Sequence, residues 1–379
     1  MIIGAGLGGL AAAVALQKSG HKVTVYERTP ELGELGAGIM LTPNAVRALE
    51  HIGALDSVME FAVEPERSYS RHYATGEIMG ERSVSAAYLE KYGKPMLTIH
   101  RADLHRALAR VVRANDAQCI RLNHEFTSLT QDDRGVEAVF VNGTRERAEL
   151  LIGADGIRSN VRLALGLSLP PRYTGLVAWR GLVPTESLPP RLRSTSTTSW
   201  IGSERHIIEY TVGHLKNYVA IARQANWRSE SWTTPADMQE VLETYAGWHE
   251  DVMTMLRATP AGTLFKWALH DRDPLARWTY GRVTLLGDAA HAMLPLMAQG
   301  AAMALEDAAI LARALDDSTD PLEALVRYEN ARRERTTWTQ LQSRTAVDVY
   351  HRVDEGRWQH ETEQRGKVLY SYDVASVTV

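Results

Sequence analysis

The period of the apolar positions changes along the chain, and each change predicts an element. Ile2 and Ile3 form the end of a short buried strand, and the glycine-rich stretch 4–9 suits only a turn. Residues 10–18 follow as an Ala-rich helix closed by Gly20, and residues 22–26 alternate as a second strand. Residues 33–49 carry Gly36-Ala37-Gly38 and Pro43-Asn44 ahead of an amphipathic helix. Residues 97–112 read as a strand end and a helix with Leu104, Leu108, Val111 and Val112 on one face. Stretches 137–141 and 145–152 flank an Asn142-Gly143 hairpin turn. From 173 to 223 short runs such as 176–179 and 206–210 alternate with Gly, Ser and Pro turns, a β pattern. Helical spacing returns over 235–256, a short buried strand spans 282–286, and helices cover 301–315 and 321–347. The last thirty residues have no clear period. Strands alternating with helices around a β-rich middle predict an α/β chain.

Composition narrows the function classes. A chain of 379 residues exceeds one small core and predicts two or three structural units. The net charge of −4, with basic residues dispersed, argues against nucleic acid as a partner. The single cysteine, Cys119, forbids an internal disulfide and fits a reducing compartment. Apolar stretches meet charges before the roughly 18 residues that a membrane span needs. The N-terminal apolar run has no basic leader and is broken by Gly4, Gly6, Gly8 and Gly9, so it does not read as a signal peptide. The expected compartment is the cytoplasm. No metal site is expected: in the compact His100, Asp103, His105 group, Asp103 is expected to cap the helix and His105 to be solvated.

The turn Gly4-Ala5-Gly6-Leu7-Gly8-Gly9 satisfies G-x-G-x-x-G between a strand and a helix. Gly4 allows the tight turn, Gly6 lets the backbone approach a pyrophosphate, and Gly9 lets helix and strand pack closely. The helix start adds amide donors and a partial positive charge. Glu27 ends the second strand, where a carboxylate accepts from an adenosine ribose and repels a 2′-phosphate. Leu7 and Arg28 belong to the same expected contact set.

Two further motifs follow strands: Gly153-Ala154-Asp155-Gly156-Ile157-Arg158-Ser159, and Gly287-Asp288-Ala289-Ala290-His291 leading through Pro295 to Gln299-Gly300. With the first turn, in this order and spacing, they make the chain resemble the single-component flavoprotein aromatic hydroxylases. The nearest branch holds the salicylate, 3-hydroxybenzoate and 6-hydroxynicotinate hydroxylases, and the resemblance spans nearly the whole chain. It implies a Rossmann-type FAD-binding domain (GR2-like) with an inserted β-sheet substrate domain and C-terminal helices. The implied FAD domain is 1–65, 98–170 and 263–345, the substrate domain is 66–97 and 171–262, and 346–379 form a C-terminal helical segment.

The resemblance also implies chemistry: FAD as cofactor, NADH or NADPH as a transient co-substrate, and dioxygen, with a flavin C4a-hydroperoxide hydroxylating a small phenolic aromatic acid. Asp288 would meet the ribityl or phosphate side, and Asp155 would hold a loop near the pyrophosphate. Arg101 would lie against FAD, with Gly38, Ile39 and Phe126 also at the cofactor. Pro295 would shape the oxygen pocket. The amides of Gly300 and Ala301 would stabilise negative charge on reduced flavin. His206 and Tyr210 share a strand face, and the stretch 203–210 looks like the segment whose His and Tyr serve substrate in this branch. His206 would take the phenol proton and Tyr210 would hold a phenol or carboxylate. Met40 stands where the 6-hydroxynicotinate enzymes carry a histidine, which weighs against that substrate. A flavoenzyme for a non-phenolic heterocycle or polyketide, and a non-catalytic FAD-binding protein, are the alternatives; monomer and homodimer both fit.

Overall fold

The structure, a computed structural model, describes residues 1–33, 36–167, 170–224, 234–350 and 358–379. Parts of the expected 33–49 stretch (34–35) and of the C-terminal segment (351–357) lie outside the described residues.

The short apolar runs form a five-stranded parallel sheet in the order Val283–Leu285, Leu151–Gly153, Ile2–Ile3, Val25–Tyr26, Ile120–Arg121. Parallel strands are covered on both faces, which is why these runs are apolar without alternation. Helix Leu7–Lys18 is buried along nearly its whole length and packs on helix Gly300–Asp316. The strand expected over 145–152 is two strands. Arg145–Ala148 stays antiparallel to Gly135–Phe140, whereas Leu151–Gly153 enters the parallel sheet. The physical reason is in the sequence: Arg145, Glu146 and Arg147 leave one face wet, while Leu151, Ile152 and Gly153 are fully buried.

The middle of the chain forms an eight-stranded sheet around Arg172–Pro184, Leu215–Arg223, Arg205–Val212 and Thr197–Gly202. Arg67–His72 and Ile78–Ser83 close one edge, with Arg67–His72 parallel to Thr197–Gly202. At the other end Phe265–Asp271 pairs with Arg172–Pro184, so the sheet runs past the boundary expected at 262. The helical stretch expected over 235–256 is two helices, Met238–Thr244 and Glu250–Arg257; His249 Nδ1 accepts the Asp251 amide and starts the second. These helices cover one sheet face through Trp179, Trp200, Tyr245 and Trp248. The opposite face, with Leu176, Ala178, Ile221 and Trp267, meets Leu294 and Leu296 from the loop after Asp288.

A buried ion cluster fixes the helices behind that loop. Glu306 and Asp307, adjacent on helix Gly300–Asp316, and Arg332, on helix Pro321–Tyr350, are each 0% exposed. Arg332 Nε lies 2.8 Å from Asp307 Oδ1, and Arg332 and Arg335 each approach Glu306 Oε2 to 2.7 Å. Burial pushes both carboxyls up. Arg335 and Arg332 around Glu306, and His291 and Arg332 around Asp307, outweigh it and hold both below the usual carboxylate range. The same carboxylates also reach other elements. Glu306 Oε1 accepts from Asn44 Nδ2 (2.7 Å), and Asn44 also donates to Gln299 Oε1 (3.0 Å). Asp307 Oδ2 accepts the Gly287 amide at 3.0 Å and meets His291 Nε2 at 2.6 Å.

Replacing Arg332 by Met leaves two buried carboxylates short of their shared cation. The expected loss is about 3–5 kcal/mol, read from the urea midpoint; a loss under about 1 kcal/mol would show that the cluster does not hold the fold. Because both carboxyl pKa values are depressed on folding, their contribution is complete above the unfolded values near ~4 and disappears as pH falls through the folded ones.

Candidate active site

Three loops leave the parallel sheet at one level. Ile3 pairs with Gly153 and Gly153 with Leu285, so Gly4, Ala154-Asp155 and Leu286-Gly287-Asp288 emerge together at the carboxyl edge, where such sheets bind ligands. Gly4 has φ +101°, and a Cβ there would lie 2.5 Å from the Ala154 carbonyl oxygen. A Cβ on Gly9 would lie 2.0 Å from the Gly4 oxygen, and one on Gly8 would lie 2.8 Å from Leu286 Cδ2 and 3.3 Å from Ala304 Cβ. These glycines are explained by protein packing, and they interlock the first helix, the Leu286 strand end and the helix begun by Gly300. Gly6 is different: a Cβ there meets nothing within 4 Å. It faces a cleft of about 250 Å³ lined by Gly4, Gly6, Glu27, Arg28, Phe126 and Asp155 among others. Leu7 and Gly9 do not line the cleft; Leu7 is buried in the core.

The cleft suits a phosphate. Helix Leu7–Lys18 starts without a side-chain cap or an acid in its first turn, leaving amide donors for an anion. Glu27 Oε2 accepts the Ala5 amide at 2.8 Å and Oε1 the Thr29 amide at 3.0 Å, so this carboxylate also pins the glycine turn. Asp155 Oδ2 accepts the Val161 amide at 3.0 Å, holding its loop, while burial pushes its carboxyl up. His105 corrects the expectation of a solvated side chain. It is 5% exposed and its Nε2 lies 2.7 Å from the Ala5 carbonyl oxygen, a second anchor of the turn. The missed signal is the buried stripe formed by His105, Leu108, Ala109 and Val112. Asp103 does not cap its helix; it bonds to Arg106.

A second set lies beyond the cleft. Asp288 is exposed between buried Gly287 and Ala289, so its carboxylate is the side chain the strand end presents outward. Gly300 and Ala301, both half-buried, open a helix with no side-chain cap, and a Cβ on Gly300 meets nothing within 4 Å. The 17-residue helix thus offers free amides and the positive end of its dipole toward open space. Pro295 is exposed between buried Leu294 and Leu296. Open space at Gly6 and Gly300, donors at both helix starts and an outward carboxylate between them fit an extended dinucleotide such as FAD.

The substrate-side candidates lie against this second set. The Arg101 amide donates to the Ala37 oxygen at 2.8 Å, and Ile39 pairs with Ile99. The Gly38 amide donates to Asn217 Oδ1 at 2.7 Å, and a Cβ on Gly38 would lie 2.5 Å from Tyr210 Cε2. His206 pairs across the sheet with Ile221 and Tyr210 with Asn217, which puts both on the face that meets Leu294 and Leu296. His206 is 0% exposed. Burial pushes the Tyr210 phenol up to about 12 against the nearby Arg180, so it is a neutral donor at physiological pH. Arg180 was missed from sequence, although a cation inside the apolar run 176–183 was its signal. It shares the face through Val219 and Ile208, and its guanidinium lies 4.4 Å from the Trp267 ring centroid. Burial pushes Arg180 down to about 10, leaving it cationic at neutral pH.

Comparison with known proteins agrees with this geometry. Residues 1–342 match the family described as FAD binding domain. The chain is 37% identical to 6-hydroxynicotinate 3-monooxygenase of Bordetella bronchiseptica, over 89% of this chain and 88% of the relative. It is 36% identical to 3-hydroxybenzoate 6-hydroxylase 1 of Aquipseudomonas alcaligenes, over 93% and 89% respectively. Its fold superposes on Klebsiella pneumoniae HpxO complexed with FAD and uric acid with a TM-score of 0.85 and 30% identity, over 98% of this chain and 92% of that one.

The glycine geometry separates ligand from packing. Gly6→Ala is expected to leave the apoprotein melting temperature unchanged but to weaken FAD binding at least about tenfold, because its methyl enters the cleft. Gly9→Ala should instead impair folding. Wild-type FAD affinity in Gly6→Ala, measured by fluorescence titration, would show that this cleft is not the phosphate cradle.

Proposed function

Because this chain belongs to the FAD-binding family of flavin-dependent aromatic monooxygenases, we propose that it hydroxylates a small phenolic aromatic acid, of the hydroxybenzoate or salicylate type, with NADH or NADPH and dioxygen. The observation that carries this reading is one sheet face holding Arg180, Tyr210 and His206 opposite the Leu294–Leu296 loop. FAD, when bound, accepts electrons from the nicotinamide and activates oxygen. The chain's own residues orient the ring, move its proton and keep water away. Arg180 supplies a positive charge and Tyr210 a neutral O–H donor for an anionic oxygen of the substrate. His206, shut off from bulk water, exchanges a proton with a group brought to the sheet face and so raises the nucleophilicity of a phenol. Leu294 and Leu296, flanked by half-buried Met293 and Met297, form an apolar wall that excludes water. Asp288 would meet the ribityl chain, and the amides of Gly300 and Ala301 would stabilise negative charge on the reduced ring.

Met40 is half-buried in the ribbon paired with Leu97–His100 and offers no proton to a pyridine ring. This favours a benzoate over a hydroxynicotinate. A second reading, a non-phenolic heterocycle, is favoured by the likeness to HpxO, whose structure holds uric acid.

Hydroxybenzoates, hydroxypyridine carboxylates and urate should be screened for NADH consumption with product formation. A phenolic acid is expected to give product. On that substrate His206→Ala should lower hydroxylation about 100-fold or more at unchanged flavin content, and Tyr210→Phe should mainly raise KM. Normal turnover by His206→Ala would remove it from the mechanism, and product from urate alone would favour the heterocycle.

A further inference from the structure

Asn217 joins the two halves of the site. It is 0% exposed, sits opposite Tyr210 in the sheet, and its Oδ1 accepts the Gly38 amide at 2.7 Å. A Cβ on Gly38 would lie 2.5 Å from Tyr210 Cε2 and 2.7 Å from Asn217 Cγ, so the glycine backbone is pressed directly onto this pair. A second tie lies alongside. Gly38–Leu41 pairs with Leu97–His100, and buried Thr98 donates through Oγ1 to the Thr211 carbonyl oxygen, one residue beyond Tyr210, at 2.6 Å. Two buried hydrogen bonds therefore staple the ribbon to two adjacent strands of the larger sheet, Leu215–Arg223 and Arg205–Val212. Asn217 Nδ2 is buried and meets no hydrogen-bond partner among the described residues. The acceptor end of the amide is the one that satisfies the buried Gly38 N–H.

We propose that Asn217 is a positioning residue that sets the gap between the flavin-side backbone at Gly38 and the substrate-side phenol of Tyr210, and thereby decides whether NADH oxidation ends in product or in peroxide. The inference rests on the monooxygenase reading above. In the coupled reaction NADH, a proton, dioxygen and the aromatic substrate give NAD⁺, water and the phenol that gains one oxygen atom. With the ring displaced, NADH, a proton and dioxygen give NAD⁺ and hydrogen peroxide, and the substrate is unchanged. Both reactions transfer two electrons from NADH. A small displacement selects between them because oxygen transfer needs near-contact geometry with the substrate ring, whereas peroxide release needs none.

The test uses FAD-loaded wild type, Asn217→Leu, which removes the acceptor at the same branching pattern, and Asn217→Asp, which restores it. Thr98→Val, which cuts the second tie, serves if Asn217→Leu fails to fold. Two readouts are taken: product and peroxide per NADH consumed with the best phenolic acid, and hydrogen exchange of the 36–41 amides. In Asn217→Leu, NADH consumption should stay within about threefold of wild type while product per NADH falls below about half, peroxide making up the balance. Exchange at 36–41 should rise about tenfold or more, and Asn217→Asp should return both toward wild type. Unchanged coupling, or unchanged exchange, in Asn217→Leu would overturn the proposal. Should wild type itself yield no product with any phenolic acid, the substrate reading fails, and the exchange measurement still decides whether Asn217 holds the ribbon.

Discussion

Two adjacent carboxylates buried beside one arginine constrain the rest of the molecule. Glu306 and Asp307 are shut off from water, and Arg332, Arg335, His291, Asn44 and the Gly287 amide make that tolerable. The partners come from three other elements, Pro321–Tyr350 with both arginines, the turn ending at His291 and the helix begun by Pro43, so satisfying the charges fixes the geometry between elements. Asp307 takes the amide of Gly287 and thereby sets the strand end from which Asp288 emerges. Glu306 takes Asn44, which holds Gln299 at the mouth of the helix opened by Gly300. A pair of ions that contacts no ligand thus aligns the outward carboxylate and the free helix start.

The second constraint is the seam between the parallel sheet and the eight-stranded sheet. One face of the larger sheet is closed by aromatic packing under two helices, which leaves the other for the seam. There the loop from Leu294 to Leu296 supplies apolar cover, and the sheet supplies Arg180, Tyr210 and His206. The cofactor-side backbone meets the substrate-side strand at Gly38, where there is no room for a side chain. The proposed site is therefore assembled by packing between two sheets, and Arg180, Tyr210 and His206 all lie on strands.

What was legible in the sequence follows from where the information lies. The Gly4–Gly9 motif was identified by its spacing between a strand and a helix without tertiary knowledge, although the helix begins earlier than expected, at Leu7. The strand face shared by His206 and Tyr210 follows from a period of two. By contrast, Arg180 approaches Tyr210 across two intervening strand pairings, and a register of that kind cannot be read along one chain. His105 was misjudged because histidine is often solvated, although its neighbours at helical spacing are buried. The Phe265–Asp271 strand was not read from the sequence, because its partner Arg172–Pro184 lies about ninety residues away and its pairing cannot be seen along one chain. The Glu306-Asp307-Arg332 cluster was invisible for a related reason. Two acids and an arginine on amphipathic helices look like solvated charges until the helices are packed together.

The most direct test of a single cradle is a crystal structure of the chain with FAD bound. One cofactor should run from the Gly6 amide region past the Asp288 carboxylate to the helix start at Gly300, with its ring against Pro295 and the Gly38 ribbon. A cofactor confined to the cleft beside Glu27 and Arg28, with its ring directed away from Gly300, would contradict the account.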